Sequence, residues 1–256
     1  MMLNGDGMIE LATERLAGIE CIHAAPAGQR QARLPTLLFY HGFTSSKEVY
    51  SYFAVALAQA GFRVIMPDAD MHGARYNGDS DQRMTHFWEI LQRNIDEVPQ
   101  LEAVLHEKEW VAEGRFAVAG ASMGGMTALG AMARYPQIQS VACLMGSGSF
   151  MTLSQTLFPP LVAHTPAQQQ ALANRLAPLA AYDPSQQLPQ LANRPLLLWH
   201  GEADEVVPFA ETERLVRMLR EAQLDSRLTF LSEKQTGHKI TPSALNALVS
   251  FFKHHL

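Results

Sequence analysis

The sequence predicts an α/β fold, a mostly parallel sheet of about eight strands with helices on both faces, on three observations. Short apolar runs alternate with helical patterns along most of the chain, as expected where parallel strands are covered by the helices that connect them. Two strand-like segments precede that alternation and meet near Ala17-Gly18, within residues 8–25. One later run, Phe116-Ala117-Val118-Ala119, passes through Gly120-Ala121-Ser122-Met123-Gly124 directly into a stretch of small and apolar helix formers. A chain of 256 residues suits one domain, 1–256, and no low-complexity linker divides it.

After the leading pair, strands are predicted at 36–40, 63–66, 115–119, 140–145, 195–199 and 227–231. Between the first two, Ser45-Ser46-Lys47-Glu48 has capping-box spacing ahead of Val49, Tyr52, Phe53, Ala56, Leu57 and Ala60, with Gly61 as the stop. Met84, Phe87, Trp88, Leu91, Ile95 and Val98 repeat the helical period in a longer helix that Pro99 is expected to kink or interrupt. Residues 123–135 form the helix after the glycine-flanked serine. Thr241-Pro242 supplies a cap and then a proline at the first helical position, opening a last helix through Phe252. These apolar stripes read as core. Residues 150–182 break the rhythm: they are rich in Leu, Ala, Pro and Gln, with Arg175 the one charged residue. This segment is expected to form a small helical cap over the carboxyl ends of the strands, the alternative being an ordinary crossover helix.

Composition removes several function classes. A formal charge of −5 with scattered cations offers no basic stripe for a phosphate backbone, so no nucleic-acid partner is expected. No run approaches the roughly 20 apolar residues of a membrane span, and the amino terminus has neither the basic nor the apolar region of a secretion signal. Cys21 and Cys143 are far apart and suit buried free thiols in a reducing compartment, giving an expected cytoplasmic location. His-Glu-x-x-His, a close cysteine pair and a phosphate loop ending in Gly-Lys-Ser/Thr are all missing, so no metal and no cofactor are expected. Nothing in the sequence specifies an oligomeric state.

The chemistry centres on Ser122. A serine in a sharp strand-to-helix elbow exposes its hydroxyl, and the flanking glycines keep the strained turn free of collisions. A serine hydroxyl is a weak nucleophile, so it needs a base within reach and an acid to fix that base's tautomer. Of the later histidines, His254 and His255 end the last helix, His164 lies in the expected cap, and His200 belongs to a strand end. His238, in Thr236-Gly237-His238-Lys239 after the last strand, is placed to reach the carboxyl edge of the sheet. The loop Gly201-Glu202-Ala203-Asp204-Glu205-Val206-Val207-Pro208 offers three carboxylates. Spacing alone does not choose among them; the shorter reach of aspartate in a tight loop favours Asp204. Two backbone donors are expected for a developing oxyanion, Met123 after the serine and Phe43 in His41-Gly42-Phe43. In 67–75, His72 near Asp70 resembles a second acid–base pair but is read as an ion-paired scaffold loop.

These features together, the elbow at Ser122, His41-Gly42-Phe43, His200-Gly201-x-x-Asp204-x-x-Val207-Pro208 and Gly237-His238, resemble the α/β-hydrolase family over nearly the whole chain. Within it the sequence is most similar to small bacterial cytosolic carboxylesterases of the YjfP type, related to the dienelactone hydrolase and prolyl oligopeptidase branch. The resemblance implies a triad of Ser122, Asp204 and His238, and so selects Asp204 among the three acids. It also marks departures: dienelactone hydrolases carry a cysteine where this chain has Ser122, and the propeller of the oligopeptidases has no counterpart here.

The expected activity is cofactor-independent hydrolysis of a small-molecule carboxylic ester through an acyl-enzyme. The uncharged cap implies short to medium neutral acyl groups, since an unpaired carboxylate buried there is strongly disfavoured. The alternatives are a thioesterase, an amidase or peptidase on the same triad, and a non-catalytic ligand-binding protein of the same fold.

Overall fold

The computed structural model describes residues 7–256; residues 1–6, where most of the amino-terminal reading falls, lie outside the described residues. Strands β1 (Ile9–Leu16) and β2 (Ile19–Pro26) form the expected antiparallel pair, in register from Ile9 opposite Pro26 to Leu16 opposite Ile19. Ala17 and Gly18 turn the chain with φ of 49° and 79°, the doubly positive backbone that matches a two-residue hairpin to strand twist.

Strands β3 (Leu34–Tyr40), β4 (Arg63–Pro67), β5 (Val111–Ala121), β6 (Ser140–Leu144), β7 (Leu196–Gly201) and β8 (Leu228–Glu233) complete an eight-stranded sheet. Its order is β1-β2-β4-β3-β5-β6-β7-β8, antiparallel where β2 meets β4 and parallel from β4 onward. All six later strands therefore end at one edge, and the loops leaving that edge carry Phe43, Ser122, Asp204 and His238.

The helices are α1 (Ser51–Gln59), α2 (Ser80–Thr85), α3 (Phe87–Glu107), α4 (Met123–Arg134), α5 (Phe150–Leu153), α6 (Pro166–Leu176), α7 (Leu188–Ala192), α8 (Phe209–Glu221) and α9 (Pro242–His255). Strand alternation sorts the core between the two faces of the sheet. Leu38, Tyr40, Val118, Cys143 and Leu198 pack with α3, α4 and α8, while Leu37, Phe39, Ala119, Leu197 and Trp199 pack with α1 and α9. Thr241 caps α9 by accepting the Ala244 amide at 3.1 Å, as the Thr-Pro signal predicts.

Two local expectations are corrected. The capping box at Ser45–Glu48 does not form: α1 begins at Ser51 after Tyr50, with no side-chain cap. Buried Asp68 captures Lys47 instead, accepting its amide at 3.1 Å and its ammonium at 2.6 Å, while Glu48 pairs with the same ammonium at 2.7 Å. A desolvated carboxylate bonded twice by one residue outweighs a solvated cap. The long helix also breaks at His86 and not at Pro99, which lies within α3. Thr85 and His86 both bond back to the Gln82 carbonyl and end α2. Beyond Pro99, Leu101 and Leu105 extend the fully buried stripe of Ile95 and Val98, and that burial of about 2 kcal/mol per side chain carries the helix past its missing hydrogen bond.

Between β6 and β7, residues 150–182 form α5, α6 and a 3-10 turn at Ala177–Tyr182. They are tied to α3 by Trp88, which donates Nε1–H to the Leu157 carbonyl at 3.0 Å, and by Arg175, which donates to Glu89 at 2.6 Å.

Candidate active site

Ser122 stands between β5 and α4 with φ 57° and ψ −121°, a strained backbone that persists only where surrounding structure fixes it. Its amide donates to the Leu144 carbonyl at 2.8 Å, tying the turn to the end of β6. Gly124 lets α4 start against β3: a Cβ there would overlap the Tyr40 carbonyl and lie 2.8 Å from the His41 oxygen. Gly124→Ala is expected to cost about 3 kcal/mol or more of stability, read as a lowered denaturation midpoint with unchanged slope. A midpoint equal to wild type would contradict this packing.

His238 leaves the β8–α9 loop, which is zipped to the β7–α8 loop where Glu202 and Ala203 donate to the carbonyls of Glu233 and Thr236, both at 2.9 Å. The two loops hold acid and imidazole together. Ser122 Oγ lies 2.9 Å from His238 Nε2, and His238 Nδ1 lies 2.7 Å from Asp204 Oδ2. Because the carboxylate can only accept, Nδ1 carries the hydrogen and Nε2 presents its lone pair to the hydroxyl. Asp204 Oδ1 accepts the amides of Val206 and Val207 at 2.9 and 3.0 Å. Burial raises the Asp204 pKa, but hydrogen bonds from His200 and His238 outweigh it and hold the carboxyl well below the usual range. The acid is thus ionised throughout the physiological range.

The amides of Phe43 and Met123 have no acceptor among the described residues; Phe43 lies in the β3–α1 loop and Met123 opens α4 directly after Ser122. Gly42 sits where a Cβ would stand 2.6 Å from the Tyr50 hydroxyl and 3.6 Å from Ser122 Cβ, so a side chain at 42 would have to displace the end of Tyr50 beside the serine. Two buried imidazoles fix the loop. His41 bonds the Gly42 carbonyl through Nδ1 at 2.8 Å and accepts the Ala69 amide at Nε2; His72 bonds the Asp70 carbonyl at 2.7 Å and accepts the Thr44 amide at 2.9 Å. His72 therefore meets the backbone of residue 70 and not its carboxylate, which pairs with Arg75 and Arg93. The scaffold reading of 67–75 matches this arrangement.

Burial lowers the pKa of His23, His41 and His72, the last to about 4. These rings fold neutral, so their stabilisation is complete above the unfolded value near 6.5 and fades as pH falls toward the folded one. Between pH 7 and pH 5 the protein is expected to lose on the order of 2 kcal/mol through His72 alone. Urea midpoints across that range test this, and a flat profile contradicts it.

The apolar side of the site is built by Phe43, whose ring meets Phe87 edge-on at 4.9 Å and Phe158 at 4.9 Å. Buried Met123 and Met126 continue that cluster. Arg175, the charged residue of 150–182, is engaged by Glu89. Three carboxylates, Glu20, Glu48 and Asp68, converge closely enough for a cation, but Lys47 Nζ stands among them at 2.9, 2.7 and 2.6 Å. An internal ammonium thus supplies the charge that this donor set calls for.

Of the residues expected from sequence, Ser122, Asp204 and His238 form one hydrogen-bonded chain, and Phe43 and Met123 flank it. His164, His254 and His255 are exposed and take no part. Sequence reasoning passed over His200, which reaches Asp204; the four-residue spacing from His200 to Asp204 across a tight loop was the available signal.

Residues 50–256 match the prolyl oligopeptidase family. The chain is 51% identical over 249 residues to esterase YjfP of Escherichia coli (strain K12), covering 97% of this chain and 100% of that protein. TT1662 from Thermus thermophilus is similar in structure, with a TM-score of 0.76 and 24% identity over 96% of this chain and 98% of that one. Porphyromonas gingivalis dipeptidyl peptidase 4 has the same fold at a TM-score of 0.70 and 16% identity, 97% of this chain matching 35% of that one.

Proposed function

The chain belongs to the prolyl oligopeptidase family, and from that premise we propose that it is a serine hydrolase of small-molecule carboxylic esters, with Ser122 as nucleophile, His238 as base and Asp204 as its orienting acid. One observation carries the proposal: the unbroken chain of hydrogen bonds from Asp204 Oδ2 through His238 to Ser122 Oγ. His238 Nε2 takes the hydroxyl proton as Oγ attacks the ester carbonyl. The oxyanion that forms accepts from Phe43 and Met123, each donor contributing roughly 3 kcal/mol to the transition state. His238 then protonates the leaving alcohol, and the same imidazole activates water to release the acid from Ser122.

In this reading residues 150–182 are a cap inserted into a single domain, and their aromatic contact with Phe43 through Phe158 makes the acyl side of the site apolar. Short to medium neutral acyl groups are the expected substrates, because a charged acyl group meets no unpaired partner in that cluster. A cytoplasmic location is supported by Cys21 and Cys143, both free and buried, with thiols that burial pushes up to about 12. No helix among the described residues is long and apolar enough to cross a membrane.

The test is a panel of p-nitrophenyl esters with matched anilides. Neutral acyl esters from acetyl to octanoyl are expected to turn over at least tenfold faster than succinyl esters, a difference of about 1.4 kcal/mol, and faster than any anilide. Turnover confined to charged acyl groups overturns the substrate reading; anilides that match the esters point to a peptidase on the same triad.

A further inference from the structure

His200 is the penultimate residue of β7, is fully buried, and has no part in the reaction outlined above. Its Nε2 lies 2.9 Å from the Val207 carbonyl and 3.1 Å from Asp204 Oδ2. Both partners are acceptors, so Nε2 carries a hydrogen. On the far side of the ring, the unprotonated Nδ1 accepts the Thr212 hydroxyl at 2.7 Å, and the Gly146 carbonyl lies 3.1 Å from that same hydroxyl oxygen. The Phe209 ring packs edge-on against the imidazole at 5.8 Å. Helix α8 thus anchors a ring whose free edge is aimed at the acid.

Asp204 is thereby met on every side: two backbone amides on Oδ1, and two imidazoles, His238 and His200, on Oδ2. We propose that His200 is a positioning residue of the hydrolysis, holding Oδ2 in the plane that serves His238. The proposal rests on the triad reading above. A carboxylate oxygen held by a single donor can turn away from it, whereas donors from two different elements fix its place. Sharing Oδ2 with His200 keeps that oxygen on His238 Nδ1 and keeps the carboxylate from swinging toward solvent. The groups facing His238 are Ser122 from the elbow and Asp204 from the β7–α8 loop. Those facing His200 are Asp204 and Val207 from that same loop, and Phe209 and Thr212 from α8.

Two amide substitutions separate this role from simple packing. His200→Gln places an amide N–H near the Nε2 position, whereas His200→Asn reaches only the Nδ1 position, keeping the Thr212 contact and losing the donor to Asp204. In the asparagine variant kcat is expected to fall about tenfold or more with KM unchanged, the value of one charge-assisted hydrogen bond. The glutamine variant, which restores the donor, is expected to keep kcat within about threefold of wild type. Wild-type kcat in His200→Asn overturns the proposal, as do equal losses of kcat in both variants. Should His200→Asn fail to accumulate, Thr212→Val loosens the ring without touching Asp204; it is expected to lower kcat with KM unchanged, and wild-type kcat there also overturns the proposal. Fluorophosphonate labelling of Ser122→Ala and His238→Ala runs in parallel. Labelling retained in Ser122→Ala removes the triad reading itself, whereas labelling that needs Ser122, together with wild-type kcat in His200→Asn, removes only the role given to His200.

Discussion

Ser122→Ala is expected to lower kcat for ester hydrolysis about a millionfold while leaving stability near wild type. The backbone of residue 122 is held by its amide bond to Leu144 and by the close seating of α4 on β3, and alanine tolerates that strained φ no worse than serine. Only Oγ is lost, and with it the bond to the acyl carbon and the one hydroxyl within 2.9 Å of His238 Nε2. His238→Ala is expected to fall as far, since without a base the hydroxyl keeps its proton. The double variant then falls no further than either single one, because nucleophile and base act as a unit. Additive losses in kcat, measured with enzyme freed of wild-type contamination, contradict that coupling.

Asp204→Asn is expected to lower kcat about ten-thousandfold through a change of tautomer. The amides of Val206 and Val207 both donate to Oδ1, so the new amide must keep its oxygen there and turn its NH2 toward the Oδ2 position. Donor then faces donor at His238 Nδ1. The imidazole relieves the clash by moving its hydrogen to Nε2, where it blocks transfer of the serine proton. The same NH2 also faces the Nε2–H of His200. A loss of less than tenfold, with the thermal midpoint unchanged, would mean that Asp204 does not orient the base.

Much of this site was legible in the sequence because its parts are local. A serine between close-set glycines, after an apolar run and before small helix formers, specifies an elbow wherever it occurs; Thr241-Pro242 likewise starts α9 without outside help. The six runs predicted as strands also carry their own evidence, since a buried parallel strand is apolar on both faces. What escaped depends on partners distant in the chain. Lys47 leaves a capping box for Asp68, 21 residues on, and no local pattern announces that a carboxylate will be buried there. Pro99 reads as a break, yet Leu101 and Leu105 find a core against α4 and β5 that continues the helix. His200 looks like the end of an apolar strand, and only the folding of Asp204 back over β7 turns it toward the acid. Choice among Glu202, Asp204 and Glu205 was open for the same reason: the two amides that select Asp204 belong to Val206 and Val207, which meet its Oδ1 only once the loop has closed.

Labelling with a fluorophosphonate followed by mapping of the modified peptide is the decisive test of Ser122 as nucleophile, because that reagent reports a serine activated by its neighbours. The expected result is a single adduct on Ser122, lost in Ser122→Ala and strongly slowed in His238→Ala. An adduct on another serine, or labelling of the native enzyme that proceeds unchanged without His238, would contradict it.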